Sequence, residues 1–194
     1  SLHEKEKEAY ISNQKFNQKI LKNNQNIICK PILKNNNNEK HNKMQNIDNI
    51  NGNLNANDAF NLAMKFKNDK SVSTNKFQAA HYFKVAADKG LTKAMIKLAF
   101  MLRNGDGIEM NKKEALKYYK MAMDKGNSNA MYHYAFMLRN GEGCEKDIKK
   151  AAQYFEIAAN NGSIHAMNKY ASMLLNGNGV TINKMEASKY YKMA

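Results

Sequence analysis

The side chains of this chain best suited to metal, redox or proton-transfer chemistry are 2 cysteines, 5 histidines and 13 methionines. Their spacing speaks against all three uses. Cys29 and Cys144 lie far apart, one in a polar stretch and one beside a glycine turn, whereas a structural zinc needs thiolates or imidazoles at short fixed spacings. His133 and His165 have no carboxylate or cysteine at a defined spacing that would complete a metal set or orient a general base. The sequence contains no phosphate loop, nucleophile elbow or paired-carboxylate signature. No catalytic residue, metal ligand or cofactor is therefore expected. Met95, Met131 and Met167 recur at one interval, and Met101, Met137 and Met173 at the same interval, which marks them as adaptable core filler rather than soft ligands.

Recognition chemistry remains. The formal net charge is +14, divided into +4 over residues 1–56 and +10 over residues 57–194. A basic surface attracts polyanions, and a true polyanion binder would show a steep salt dependence. Here the cations are almost all lysines, Arg103 and Arg139 being the two arginines, and lysines scattered over helical surfaces are ordinarily just solvated. Nucleic acid is not the expected partner. No stretch approaches the apolar length of a membrane span, and Ser1-Leu2-His3-Glu4-Lys5 is too charged to open a signal peptide. A reducing, cytoplasmic setting is expected, or the endoplasmic-reticulum lumen if a signal peptide precedes this sequence. The chain starts without Met and stops in mid-pattern at Ala194, so it reads as a fragment.

The elements that must carry any binding surface follow from an internal repeat. Three segments align without a gap at a period of 36, starting at Ala94-Met95, Ala130-Met131 and Ala166-Met167. Each reaches a turn, Asn104-Gly105-Asp106-Gly107, Asn140-Gly141-Glu142-Gly143 or Asn176-Gly177-Asn178-Gly179. Each then runs through Ala115, Ala151 or Ala187 to Tyr118-Tyr119, Tyr154-Phe155 or Tyr190-Tyr191, and on to Ala122, Ala158 or Ala194. Gly126 and Gly162 close the first two. Stepping back one period finds Ala79, Tyr82-Phe83, Ala86 and Gly90, so residues 57–92 form a degenerate first unit that lacks the glycine turn.

Each unit parses as two helices. Ala94, Leu98, Met101 and Leu102 line one helical face. Gly105 suits the left-handed residue that ends a helix. Asn75, Asn111, Asp147 and Asn183 stand where the second helix starts and suit N-caps, with Gln78, Glu114 and Glu186 three residues on as capping-box partners. Residues 1–56 are different: they hold 15 asparagines and few large apolar side chains. A helix is conceivable over 2–22, and residues 23–56 are expected to be disordered or a linker.

This register of alanines, Asn-Gly-x-Gly turns and paired aromatics resembles the Sel1-like repeat, a relative of the tetratricopeptide repeat. The resemblance is close over residues 93–194 (units 93–128, 129–164 and a truncated 165–194) and loose over 57–92. It implies an all-α fold, a right-handed superhelical solenoid of about four α/α hairpins. It also implies an adaptor or scaffold for proteins rather than an enzyme. Some members with a disulfide in each repeat are exported, and the lack of those cysteines here weighs against that branch.

In such solenoids the first helix of each hairpin lines the concave face. The resemblance thus makes Ile96, Lys97, Phe100, Arg103, Tyr132, His133, Phe136, Arg139 and Lys169 the candidate partner-binding residues. Aromatic and Arg side chains often anchor interfaces, and this mixture would suit a peptide with acidic groups. The competing explanations are structural: Arg103 and Arg139 stand at helix C-termini, where a cation favours the dipole, and Phe100 and Phe136 could pack on a neighbouring hairpin. Two other functions stay open: a regulatory or targeting module of a larger enzyme, and a polyanion binder. The last helix, without a polar cap at Ala194, is expected to self-associate or fray.

Overall fold

The computed structural model describes residues 54–68 and 74–194. The helix expected over 2–22, most of the polar stretch after it, and Cys29 lie outside the described residues. Among the described residues there are eight helices and no strand: α1 (Ala56–Asn68), α2 (Thr74–Asp88), α3 (Thr92–Asn104), α4 (Lys112–Asp124), α5 (Ser128–Asn140), α6 (Ile148–Asn160), α7 (Ile164–Asn176) and α8 (Lys184–Met193). Consecutive helices pack on one another, and α5 also touches α7. The result is an all-α repeat solenoid of four hairpins. Leu54 is buried, and Asn55 caps α1 by accepting the Asp58 N–H at 2.9 Å, so the first hairpin begins inside the segment expected to be a tail.

Local chemistry sets the helix ends. Asn111, Asp147 and Asn183 accept the backbone N–H groups of Glu114, Lys150 and Glu186 at 3.1, 2.9 and 3.0 Å, satisfying donors that no carbonyl within the helix can reach. Two expectations need correction. α2 starts at Thr74, which puts Asn75 inside its first turn rather than at its cap. Gln78, expected as a capping-box partner, is buried. Glu114 and Glu186 do turn back to their caps, but each accepts from the side-chain amide, at 3.2 Å from Asn111 and 2.9 Å from Asn183. Of the first helices, α5 and α7 have side-chain caps of their own, Asn127 accepting the Ala130 N–H and Ser163 the Ala166 N–H, whereas Leu91 before α3 offers none. Gly105, Gly141 and Gly177 end α3, α5 and α7 in the left-handed conformation. The chain then folds back so that the N–H groups of Asn111, Asp147 and Asn183 reach the carbonyls of Leu102, Leu138 and Leu174.

Helices of about four turns are marginal alone, so each hairpin depends on the faces it buries. Ala94, Ala99, Ala115 and Ala122 are fully buried and let helix axes approach closely. Phe83, Tyr119 and Phe155, at one phase of the repeat, fill the spaces between, as do Met101, Met137 and Met173 at another. Met95 and Met167 are buried and Met131 half-buried, in keeping with core use. Along the second helices, Tyr118 donates to Asp88 at 3.2 Å and Tyr190 to Asn160 at 2.9 Å, fastening the second and fourth hairpins to the ones before them.

The second glycine of each turn fixes how closely repeats stack. A Cβ on Gly143 would run into the carbonyl of Lys112 at the start of α4, and one on Gly179 would lie 2.7 Å from the Ile148 carbonyl at the start of α6. Each turn thus sits against the second helix of the preceding repeat, with backbone touching backbone. Only glycine leaves room there.

Candidate partner-binding face and the repeat junctions

The same turns place the residue between their two glycines at a repeat junction. That residue is Asp106, Glu142 and Asn178 in successive units. Asp106 meets Lys76 on α2 at 2.7 Å. Glu142 takes a two-pronged contact from Arg103 in the last turn of α3, with Nε–Oε2 2.6 Å and Nη2–Oε1 3.2 Å, and Asn140 adds a donor at 3.2 Å. Both partners are mostly buried, and the planar guanidinium matches the carboxylate fork. The hydrogen bond to Arg103 holds the Glu142 carboxyl below its ordinary range, and the same bond raises Arg103.

Around that pair is a cluster of rings. The Arg103 guanidinium lies 4.6 Å from the Phe136 ring centre, a cation–π arrangement. Tyr132 touches His133, Phe136, Phe155 and His165, with ring centres 5.1 to 6.4 Å apart. His133 stacks on Tyr119 at 5.0 Å, and burial, then Arg103 and His165, pull its pKa down to about 4. Burial pushes the Tyr119 hydroxyl up to about 12, and that hydroxyl has no hydrogen-bond partner.

Of the residues expected to bind a partner, Arg103, Tyr132, His133 and Phe136 are brought together in this one cluster. Arg103 serves as an inter-repeat fastener, a role beyond the two weighed from sequence. Ile96, Lys97 and Phe100 lie on α3 outside these ring contacts, the first two half-buried and Phe100 44% exposed. Arg139 and Lys169 are half-buried on α5 and α7. Burial and then the neighbouring Arg139 hold the Lys169 ammonium below its ordinary range. Arg139 lines a cavity of about 340 Å³ with Asn140, Lys146, Ile148 and Asn178. Sequence reasoning passed over Glu142, Asn178, Lys146 and Tyr119. The signal for the first two was present: in the aligned turns the central residue changes from acid to amide. No group of His, Cys, Asp and Glu suited to a metal occurs among the described residues, and Cys144 is a half-buried free thiol raised by burial. No described helix is long and apolar enough to cross a membrane.

Comparison with known proteins agrees with this architecture. A family profile described as the Sel1 repeat matches four times, at residues 58–91, 92–127, 128–163 and 164–194. Among solved structures, a Sel1 repeat protein from Oxalobacter formigenes is similar at 28% identity and a TM-score of 0.68, covering 71% of this chain and 57% of its own. A protective antigen present in uropathogenic Escherichia coli strains, displaying an SLR fold, is similar at 25% identity and a TM-score of 0.66, covering 71% of this chain and 30% of its own. The chain thus spans little more than half of the first of these and under a third of the second. No curated protein matches it.

Proposed function

This chain belongs to the Sel1 repeat family, and from that premise we propose that it is an adaptor that holds a protein partner along the first helices of its hairpins. Sel1 repeats form a non-catalytic scaffold commonly used for protein–protein interaction. The observation that carries the proposal for this chain is the surface of α3, α5 and α7. Exposed Phe100 and half-buried Ile96, Tyr132 and Phe136 stand with the neutral ring of His133 among Lys97, Arg139 and Lys169, offering apolar anchors within a cationic surround. Such a mixture desolvates well at its centre and selects for acidic character at its rim. A reducing compartment suits the free thiol of Cys144.

The test uses the full chain carrying a photo-crosslinking amino acid at Phe100 or, as a control, at Ile157, a residue of similar exposure on second helix α6. It is irradiated in cells of its source, with and without nuclease in the lysate. A protein captured at position 100, not at 157, and insensitive to nuclease is the expected result. Capture only at 157 moves binding to the second helices and overturns the proposal. Capture that vanishes with nuclease favours the polyanion alternative, for which the net charge of +14 is the supporting observation.

A further inference from the structure

The ionic contacts between repeats set a rule that is broken once. The central turn residue of each unit supplies a carboxylate to a cation of the preceding one: Asp106 to Lys76 and Glu142 to Arg103. Arg139 occupies in α5 the position Arg103 occupies in α3, and the corresponding turn residue is Asn178. Arg139 and Asn178 line one cavity, and an amide cannot neutralise the guanidinium. No carboxylate among the described residues lies within ion-pair distance of Arg139. The nearest acids in sequence are otherwise engaged or exposed: Glu142 with Arg103, Asp147 capping α6, and Glu145 in solvent. Lys146 joins Arg139 in the cavity wall, and Lys169 is close enough for its charge to be disfavoured by Arg139. The cavity, at about 340 Å³, is far larger than the roughly 30 Å³ share of one water and reaches the lower end of ligand-sized pockets.

We propose that the junction between the third and fourth repeats is a receptor for a glutamate side chain of an acidic peptide segment in the partner protein, with Arg139 as its fork and Lys146 beside it. The occupant follows from the chain's own template. One repeat earlier the same guanidinium position takes a Glu carboxylate through two hydrogen bonds, with an asparagine amide as third donor. At this junction the partner supplies what residue 178 does not. The proposal rests on the adaptor reading above and adds to it a chemical specificity: a planar carboxylate is preferred to its amide, because the amide leaves the half-buried cation unpaired.

The chain's two arginines make the test direct, since its guanidinium Nε–H groups give two NMR signals. Arg103 reports the occupied state and Arg139 the open one. The full chain is titrated with an N-acetylated, C-amidated peptide rich in Glu, whose only carboxylates are side chains, and with its Gln counterpart. The Arg139 signal should move saturably toward that of Arg103 with the Glu peptide, bound at least about tenfold more tightly than the Gln peptide, while Arg103 stays in place. Asn178→Glu should shift the Arg139 signal without any peptide, raise the melting temperature and abolish the titration. A flat Arg139 signal with the Glu peptide, or an Asn178→Glu chain with unchanged Arg139 signal and melting temperature, overturns the proposal. Saturation by a single-stranded RNA oligonucleotide, with no distinction between the Glu and Gln peptides, also overturns it, in favour of a polyanion site. A partner captured at position 100 in the face of any of these failures leaves the adaptor reading standing. Absence of such a partner defeats that reading whatever Arg139 does.

Discussion

Two neighbouring junctions of this solenoid are built from the same four positions and end in opposite states. Between the second and third repeats stand Arg103, Tyr119, His133 and Glu142; one period later stand Arg139, Phe155, Lys169 and Asn178. The first set closes on itself: the guanidinium is forked to a carboxylate, the imidazole is held neutral, and the rings stack. The second set collects two cations, lacks the carboxylate and leaves a cavity. The backbone scaffold is common to both, since Gly143 and Gly179 press their turns on the helix before and the same loop hydrogen bonds recur. A repeat architecture thus separates what holds the stack together from what a single junction offers to a partner. Backbone contacts serve the first purpose in every unit, and side chains at fixed phases are free to serve the second in one.

The largest test of that separation is at the glycines. Gly143→Ala forces a Cβ onto the Lys112 carbonyl and the Lys113 nitrogen, backbone atoms that cannot turn aside, and strains a φ of +78°. A loss of about 3–5 kcal/mol is expected, within the range of severe single substitutions. At Gly179, with a φ of +77°, the nearest backbone atom is the Ile148 carbonyl oxygen at 2.7 Å, a looser clash shared with the Ile148 Cγ2, so Gly179→Ala should cost somewhat less, about 3 kcal/mol. Denaturant titration of both variants checks the order. Equal or reversed losses would mean that the two junctions do not share a scaffold stiffer at the closed one.

Acid should loosen the closed junction first. His133 titrates near pH 4 when folded, against 6.5 for an unperturbed imidazole, because burial and Arg103 disfavour its charge. Between those values the unfolded chain binds a proton that the folded chain refuses. The stability due to neutral His133 is therefore complete above pH 6.5 and is lost as pH falls through about 4, by about 2–3 kcal/mol in all. His133→Phe, which keeps a ring against Tyr119, should remove that slope relative to the native chain over pH 6.5 to 4. Parallel stability curves for the two proteins would show that His133 is solvated and the junction less closed than its geometry implies. Protonation of Glu142, whose carboxyl the Arg103 hydrogen bond holds below its ordinary range, adds its own loss as pH falls below that range, and Asn178 has no counterpart to that step at the open junction.

Much of this was legible in the sequence, for a physical reason that also marks the limit. Caps at Asn111, Asp147 and Asn183 and left-handed Gly105, Gly141 and Gly177 act within a few residues, so their chemistry stands next to its cause. Asn75 misled because α2 begins two residues earlier than the repeat phase predicts, in the unit whose turn has lost its glycines. Met101, Met137 and Met173 were readable as core through their shared phase. The Arg103–Glu142 pair was not, since its partners lie 39 residues apart and meet only when one repeat stacks on the next. Composition made both arginines look like interface anchors. The difference between them lies in the turn residue one period plus three positions further on, and it takes on meaning only through the stacking geometry.

The smallest effect bears on how well the closed junction is satisfied. Tyr119 is fully buried with its hydroxyl unpartnered, whereas the same phase carries Phe83 in the first repeat and Phe155 in the third, both fully buried. A buried donor that loses water and gains nothing costs about 1–3 kcal/mol, and deleting it leaves the ring packing unchanged. Tyr119→Phe should therefore stabilise the chain by about 1 kcal/mol, read as a rise in the denaturant midpoint with unchanged slope. The reverse change, Phe155→Tyr, should destabilise the open junction, unless its hydroxyl finds the cavity beside Arg139. The pair of variants thus separates two sources of room. If Tyr119→Phe destabilises instead, the hydroxyl has a partner in solution, and the cluster around Arg103 and Glu142 extends one group further than the ion pair. If Phe155→Tyr is tolerated, the space near Arg139 is continuous with the core of the third repeat, and a glutamate entering it would be gripped between rings as well as by cations.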